Sequence, residues 1–337
     1  MLKFKMLKKI KKITLSKIKL RLWGNIVKIA RLTRFYPFIY RSYWHSIFCK
    51  SECMNDKKET CYFAARPNPG AGIGHQLANW IAGFYGAKLF KMKFAHIPFS
   101  SDDWESFFEF GKNEESFISL KQRGFKIRKI PLFSFGKLSD VDLIRKIITS
   151  YCGQKIVFLC EQDQFLRDLQ LIIPDIQRKF FNASIRKRER LDYNRDHFNI
   201  AIHVRRGDIM ANSKNPNLTM RILNNDYFKT VLTNTLGMFK NKIDKPIHIY
   251  FFSQGIPSDY PEFERFENLH WCMDWNAKKS FLHMVYADVL ITSKSSFSYK
   301  PALLNKGVKV CPKDFWHGYP EATDWIMCDR NGNFIYS

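Results

Sequence analysis

Arg205, Arg206 and Asp208 are the side chains of this chain best placed by type and spacing to do chemistry. They follow residues 198–204, an apolar run holding Ile200, Ile202 and Val204 that suits a buried strand. The run ends abruptly in charge, and the carboxyl end of a strand is where α/β sheets bind ligands. Two guanidinium groups at such an end can clamp a phosphate or diphosphate through paired N–H donors, while Asp208 can hold one of them in place. A solvated salt bridge with no ligand is the competing reading of the same residues. His203, taken alone, reads as a satisfied core histidine.

Two further motifs favour a ligand. Residues 70–79 read GAGIGHQLAN, and glycines at alternate positions (Gly70, Gly72, Gly74) make a loop whose backbone can approach a ligand closely. Leu77, Ile81, Phe84, Tyr85 and Leu89 then recur at helical spacing, so a helix start aims free N–H groups outward from the loop. The spacing is neither that of a dinucleotide fingerprint nor that of a P-loop. Tight packing of helix on strand explains the glycines equally well. Later, Val289, Leu290 and Ile291 form a short buried strand, followed by Ser293, Ser295, Ser296 and Ser298 around Phe297 at the start of another helix. Serine hydroxyls and free amides there suit phosphate oxygens, although helix capping alone accounts for one serine.

Together the three segments resemble the fucosyltransferases that share a His-x-Arg-Arg-x-Asp motif, namely the α1,2 and α1,6 enzymes, with the protein O-fucosyltransferases as more distant relatives. His203, Arg205, Arg206 and Asp208 match that motif fully. Gly72-Ile73-Gly74-His75-Gln76 stands where the group has Gly-x-Gly-Asn-Gln, and Ser296, Phe297 and Ser298 match the late serine-phenylalanine-serine motif of the α1,2 enzymes. The order and spacing agree, over residues 63–305. Two positions depart from the pattern. His75 replaces an asparagine, and Ser280 stands where many of these enzymes carry an aspartate that helps read guanine, with Asp274 as the nearest alternative.

The resemblance implies a GT-B type α/β fold, two Rossmann-like domains facing a cleft, and inverting transfer of fucose from GDP-fucose to a hydroxyl of a glycan acceptor. Arg205 and Arg206 then neutralise the leaving diphosphate without a metal. Ser295, Ser296, Phe297 and Ser298 hold the donor, His203 and Asp208 orient the arginines and the ribose, and Gly72 and Gly74 complete the cleft. His75 is the candidate general base, because imidazole accepts a proton near neutral pH. Gln76, Asn79, Asp102 and Asp103 fall on the acceptor side, and Asp102, Asp103 and Glu105 follow His75 as bases. No cofactor beyond the donor is expected. The single Asp-x-Asp triplet, Asp140 and Asp142, sits in LSDVDL and reads as a helix cap and start rather than a metal site. A transferase using another nucleotide sugar, or a non-catalytic glycan-binding protein on the same fold, remains compatible with these residues.

Elements must position these groups. A strand over residues 61–65, the glycine loop with its helix and a strand over 156–160 organise a first domain at 51–190, in which 100–111 reads as an acceptor-facing loop. The charge-dense stretch 186–195 reads as a connection. In the second domain, 191–337, strands at 198–204, 247–252, 269–272, 289–292 and 308–311 alternate with helices near 226–240 and 278–286 and up to 305. Such alternation predicts a parallel sheet with helices on both faces.

The chain's 337 residues carry a formal charge of +24. Residues 1–50 hold ten lysines, four arginines and no acidic residue, so more than half the excess lies in this leader. Its apolar residues recur every three or four positions, from Leu2 to Ile29, which describes a basic amphipathic helix with Trp23 as interfacial anchor. An anionic membrane surface is the expected partner and nucleic acid is not. The leader lacks the unbroken apolar centre of a secretory signal. Eight cysteines without Cys-x-x-Cys spacing argue against zinc. With no signal or membrane span, free thiols and a cytoplasmic, membrane-peripheral location are expected, and the sequons at Asn182 and Asn217 read as chance matches.

Overall fold

The computed structural model describes residues 18–19, 22–49, 61–68, 70–160, 169, 171–207, 210 and 219–335. Asp208, Asn217 and the leader positions before residue 18 lie outside them. Helix α1 (Arg41–Phe48) precedes a five-stranded sheet built from β1 (Cys61–Ala65), β2 (Lys93–His96), β3 (Glu115–Ser116), β4 (Lys126–Lys129) and β5 (Ile156–Cys160). Its order is β3-β2-β1-β5-β4, with every pairing parallel. Strands β1 and β5 are buried along their whole length, as central strands covered on both faces must be. Helices α2 (Ile73–Leu89), α3 (Asp102–Phe108), α4 (Phe117–Gln122), α5 (Leu138–Ser150) and α6 (Ile173–Phe181) complete this domain.

The second sheet comprises β6 (Phe198–His203), β7 (Ile247–Ser253), β8 (Leu269–Met273), β9 (Val289–Ile291), β10 (Val308–Pro312), β11 (Trp325–Cys328) and β12 (Phe334–Ile335). Helices α7 (Asn225–Phe239), α8 (Ala277–Tyr286) and α9 (Ser296–Leu304) connect it. The order β12-β11-β10-β9-β6-β7-β8 winds outward from β6 in one direction and then, from β9, in the other. Only the β11–β12 pair is antiparallel. This is the doubly wound, Rossmann-like arrangement, and the winding reverses between β6 and β9. Both domains of the expected GT-B type are therefore α/β units on parallel sheets. The five strands expected in the second domain form within a residue or so of their expected bounds.

Several expectations are corrected by packing. Residues 100–111 are not an open loop: they contain α3, whose aromatic side chains close the seam between the domains. Phe281 of α8 lies 5.7 Å from the Phe107 ring, 5.3 Å from Phe108 and 6.0 Å from Trp104. The stretch 186–195 does run from the first domain to the second, and it is firmly held. The Arg186 guanidinium is sandwiched between Phe107 and Phe180, 4.2 Å from each ring, and pairs with Glu189 at 2.7 Å. A cation removed from water between two aromatic faces gains from both ring quadrupoles, which fixes the chain where it passes between domains. Trp23 turns inward, 5.5 Å from Tyr40 and beneath the Lys129 ammonium at 4.5 Å, rather than outward as an anchor.

Cys160, Cys272 and Cys311 are buried free thiols, as their apolar surroundings suggest. Cys152 is disulfide-bonded, however, and this departs from the expectation of a uniformly reduced chain. Among the described residues no helix is long and apolar enough to cross a membrane.

Candidate functional site

The point at which the winding reverses brings the double arginine and the serine loop side by side, because β6 pairs with β9 and the chain leaves both strands in the same direction. Arg205 donates from Nη1 to Ser295 Oγ at 3.1 Å. Ser295 also caps α9, its hydroxyl accepting from the Phe297 N–H at 3.2 Å. One hydroxyl thus ties a cation to the start of a helix, where the helix dipole already favours an anion.

His203 is buried, and its Nδ1 lies 2.9 Å from Ser293 Oγ. Burial, with Arg205 adding to it, pushes the imidazole down to about 3, so His203 is neutral at physiological pH. It orders the serine loop rather than adding charge. Ser298 is buried as well, its hydroxyl bridging the Ser293 and Ser295 carbonyls at 3.4 Å. Three of the four serines therefore build the loop from inside, while Ser296 and Phe297 are partly exposed.

Arg206 turns the other way. Its Nη2 donates to Asn225 Oδ1 at 2.6 Å and its Nη1 to the Arg205 carbonyl at 2.9 Å. Asn225, at the start of α7, in turn donates to Glu262 at 3.0 Å and to the Asp259 carbonyl at 3.1 Å. Gly207 sits at φ +64°, and a Cβ there would fall 1.9 Å from Gln254 Oε1. The left-handed backbone favours glycine at this turn out of the strand.

A cleft of about 280 Å³ opens at the carboxyl ends of β6, β7 and β8, lined by His203, Arg205, Arg206, Asp274, Trp275, Ser280 and Phe297 among others. Ser280 and Asp274, the two positions weighed for reading the base, both line it. The Asp274 N–H donates to the Ser253 carbonyl at 3.0 Å, holding the turn after β8 in a left-handed conformation. Trp275, Gln254 and Asn225 were not singled out from the sequence. Their only sequence signal is position, each standing just beyond a strand's carboxyl end or at a helix start. A larger hollow of about 580 Å³ lies between α2, α6 and residues 109–114, but none of the three motifs lines it. Its charges pair with one another, Lys88 with Asp175 and Lys179 with Glu114.

The first domain reaches the site through α2. A Cβ on Gly74 would stand 2.9 Å from the Ser296 backbone and 2.7 Å from its Oγ, so the bare glycine is what lets the starts of α2 and α9 touch. The carboxyl ends of the two sheets consequently face each other. Gly72 is the N-cap of α2, with open space where a side chain would be. His75, in the first turn, is partly exposed. Gln76 is buried, donating to the Ala71 carbonyl at 2.8 Å and to Ser100 Oγ at 2.7 Å, and accepting from the Ser100 N–H at 2.8 Å. It fastens the glycine loop to the segment after β2. Asn79 is buried one turn further along.

On α3, Asp102 is exposed and Asp103 pairs with Lys278 of the second domain at 3.3 Å. Glu105 is committed elsewhere, taking the His96 Nε2 at 2.7 Å and the Phe99 N–H at 3.0 Å. Burial alone would raise its carboxyl, but these hydrogen bonds and the neighbouring His96 hold it below the usual range. Asp140 and Asp142 lie at the beginning of α5, where Asp140 accepts from the Ser134 N–H at 3.1 Å and pairs with Lys137. Among the described residues no three His, Cys, Asp or Glu side chains gather as a metal site would require.

No family model matches the chain, and no curated protein matches it. Solved structures similar to it include POFUT1 in complex with GDP, at 11% identity over 75% of this chain and 99% of that one, with a TM-score of 0.45. The fucosyltransferase NodZ from Bradyrhizobium is 13% identical over 72% of this chain and 93% of its own, with a TM-score of 0.42. The E. coli heptosyltransferase WaaC with ADP is 9% identical over 80% of this chain and 93% of its own, with a TM-score of 0.40.

Proposed function

We propose that the protein is an inverting glycosyltransferase that moves fucose from GDP-fucose to a hydroxyl of a glycan acceptor without a metal. The observation that carries this reading is Arg205, bonded at 3.1 Å to the serine that caps α9, at the point where the sheet's winding reverses. Transfer breaks the bond between the anomeric carbon and the diphosphate oxygen and forms one to the acceptor oxygen. Negative charge grows on the leaving diphosphate as the sugar becomes oxocarbenium-like. A guanidinium fixed beside a helix start offers preorganised stabilisation for that charge, the kind of contribution that is commonly the largest in catalysis. The adjoining cleft, walled by Trp275 and Phe297, suits the flat faces of a nucleobase.

Donor hydrolysis measured across GDP-fucose, GDP-mannose and UDP-sugars tests the reading, with GDP-fucose expected to be turned over fastest and EDTA to leave the rate unchanged. No turnover of any nucleotide sugar, or loss on chelation restored by manganese, would overturn it. Preference for another sugar nucleotide is the second reading, and Ser280 favours it: a neutral hydroxyl lines the cleft where the fucosyltransferase pattern has a carboxylate.

His75 takes the acceptor proton in this scheme. It directly follows Gly74, whose contact with Ser296 joins the domains beside the site. His75→Asn is expected to lower turnover about a hundredfold with donor affinity kept, and to remove the acidic limb of the pH profile. An asparagine variant with normal turnover and an unchanged profile would move the search to Asp102 and Asp103.

A further inference from the structure

Ten of the seventeen large apolar side chains that face solvent among the described residues lie between residues 18 and 48. Residues 22–30 are helical, and Leu22, Ile26 and Ile29, spaced by four and three along one stripe, are 56%, 49% and 70% exposed. The stripe continues into an aromatic platform. Phe35, Trp44 and Phe48 are 53%, 41% and 75% exposed, with the Trp44 and Phe48 rings stacked 5.9 Å apart.

The opposite side of the same segment is bolted to the first domain. Ser42 donates to the Lys129 carbonyl at 2.6 Å, Tyr36 Oη accepts from the Leu132 N–H at 2.8 Å, and the His45 ring stacks on Tyr151 at 3.6 Å. The apolar face is therefore held outward by a rigid mount beside edge strand β4. It is not a loose tail. Lys28, Arg31, Arg34 and Arg41 are all exposed around it, and no acidic residue occurs in the first fifty positions.

We propose that residues 22–48 form a docking face that seats the first domain directly on an anionic lipid bilayer. Apolar and aromatic groups enter the headgroup boundary while lysines and arginines meet lipid phosphates, and the mount on β4 and α5 fixes the orientation. Charge decides for lipid over a second copy of the chain, since two copies would bring their basic rims together. The inference does not depend on the transferase reading.

The test uses the full chain and vesicles of phosphatidylcholine with or without phosphatidylglycerol. Sedimentation with the anionic vesicles is expected, weakening as salt is raised. The triple variant Phe35→Ser, Trp44→Ser, Phe48→Ser should bind them about tenfold or more weakly, while leucine at the same three positions restores binding. Should the serine variant fail to fold, Trp44→Phe supplies an independent measure. Brominated lipids should quench the wild-type emission, and the quenched share should fall in Trp44→Phe although that variant still binds. Unaltered vesicle binding by a folded serine variant, no loss of quenching in Trp44→Phe, or a wild-type dimer that ignores vesicles and that the serine variant converts to monomer would each overturn the proposal.

Discussion

Replacing Arg205 with alanine lowers turnover about a hundredfold or more while leaving the melting temperature nearly unchanged. The physical reason lies in where the guanidinium is held and when its charge is needed. Arg205 is fixed by Ser295 at 3.1 Å, beside the start of α9, so its position is set before any ligand arrives. Ground-state donor already carries its phosphate charge, but the charge that grows on the departing oxygen appears only as the sugar bond breaks, and that increment is what the variant loses. Ser295→Ala should reproduce part of the loss by releasing the arginine. Arg206→Ala should be milder in turnover and worse in stability, since Arg206 anchors Asn225 at 2.6 Å and, through it, Glu262. Single-turnover kinetics on the folded Arg205→Ala protein checks the prediction. Near-normal rates would end the diphosphate clamp.

Lys300→Met stabilises the protein by on the order of a few kcal/mol at neutral pH. Lys300 is 4% exposed, sits on α9 one turn from its start, and has the Tyr299 ring 4.7 Å from its Nζ. Among the described residues no carboxylate pairs with it, and burial pushes its ammonium down from 10.5 to about 7. The folded protein thus holds this proton less tightly than the unfolded chain does. Above 10.5 both states are deprotonated and burial costs no proton. As pH falls toward 7 the unfolded chain gains a proton that the folded one resists, and stability drops through that window before levelling off below it. The methionine variant lacks this slope. Urea unfolding of both proteins at intervals between pH 6.5 and 9.5 should show the two stabilities converging as pH rises; parallel curves, or a less stable methionine variant, would show that the amine is solvated or compensated after all.

The motif strands and helices were legible in the sequence because their causes are local. Apolar runs at 198–204 and 289–292 close in charge or serine, and Leu77, Ile81 and Phe84 repeat at the helical period, so β6, β9 and α2 appear where local rules place them. The double arginine, the glycine loop and the serine loop stood out as candidates for the same reason: residue type and spacing over a few positions are local features. What local rules cannot supply is which strand pairs with which. That β9 lies against β6, bringing Ser293 to within 2.9 Å of His203 across ninety positions of chain, is decided by burial summed over the whole sheet. That pairing places Ser293, Ser295 and Ser298 inside the loop and leaves Ser296 at its surface. Tertiary packing likewise made α3 a wedge on Phe281 instead of a loop, and set Arg186 of the connecting stretch between two rings. It bonded Cys152, and it faced Trp23 inward while leaving Phe35, Trp44 and Phe48 outside. Periodicity states that a helix has an apolar stripe; which part of that stripe the protein itself covers depends on the surface that folds against it.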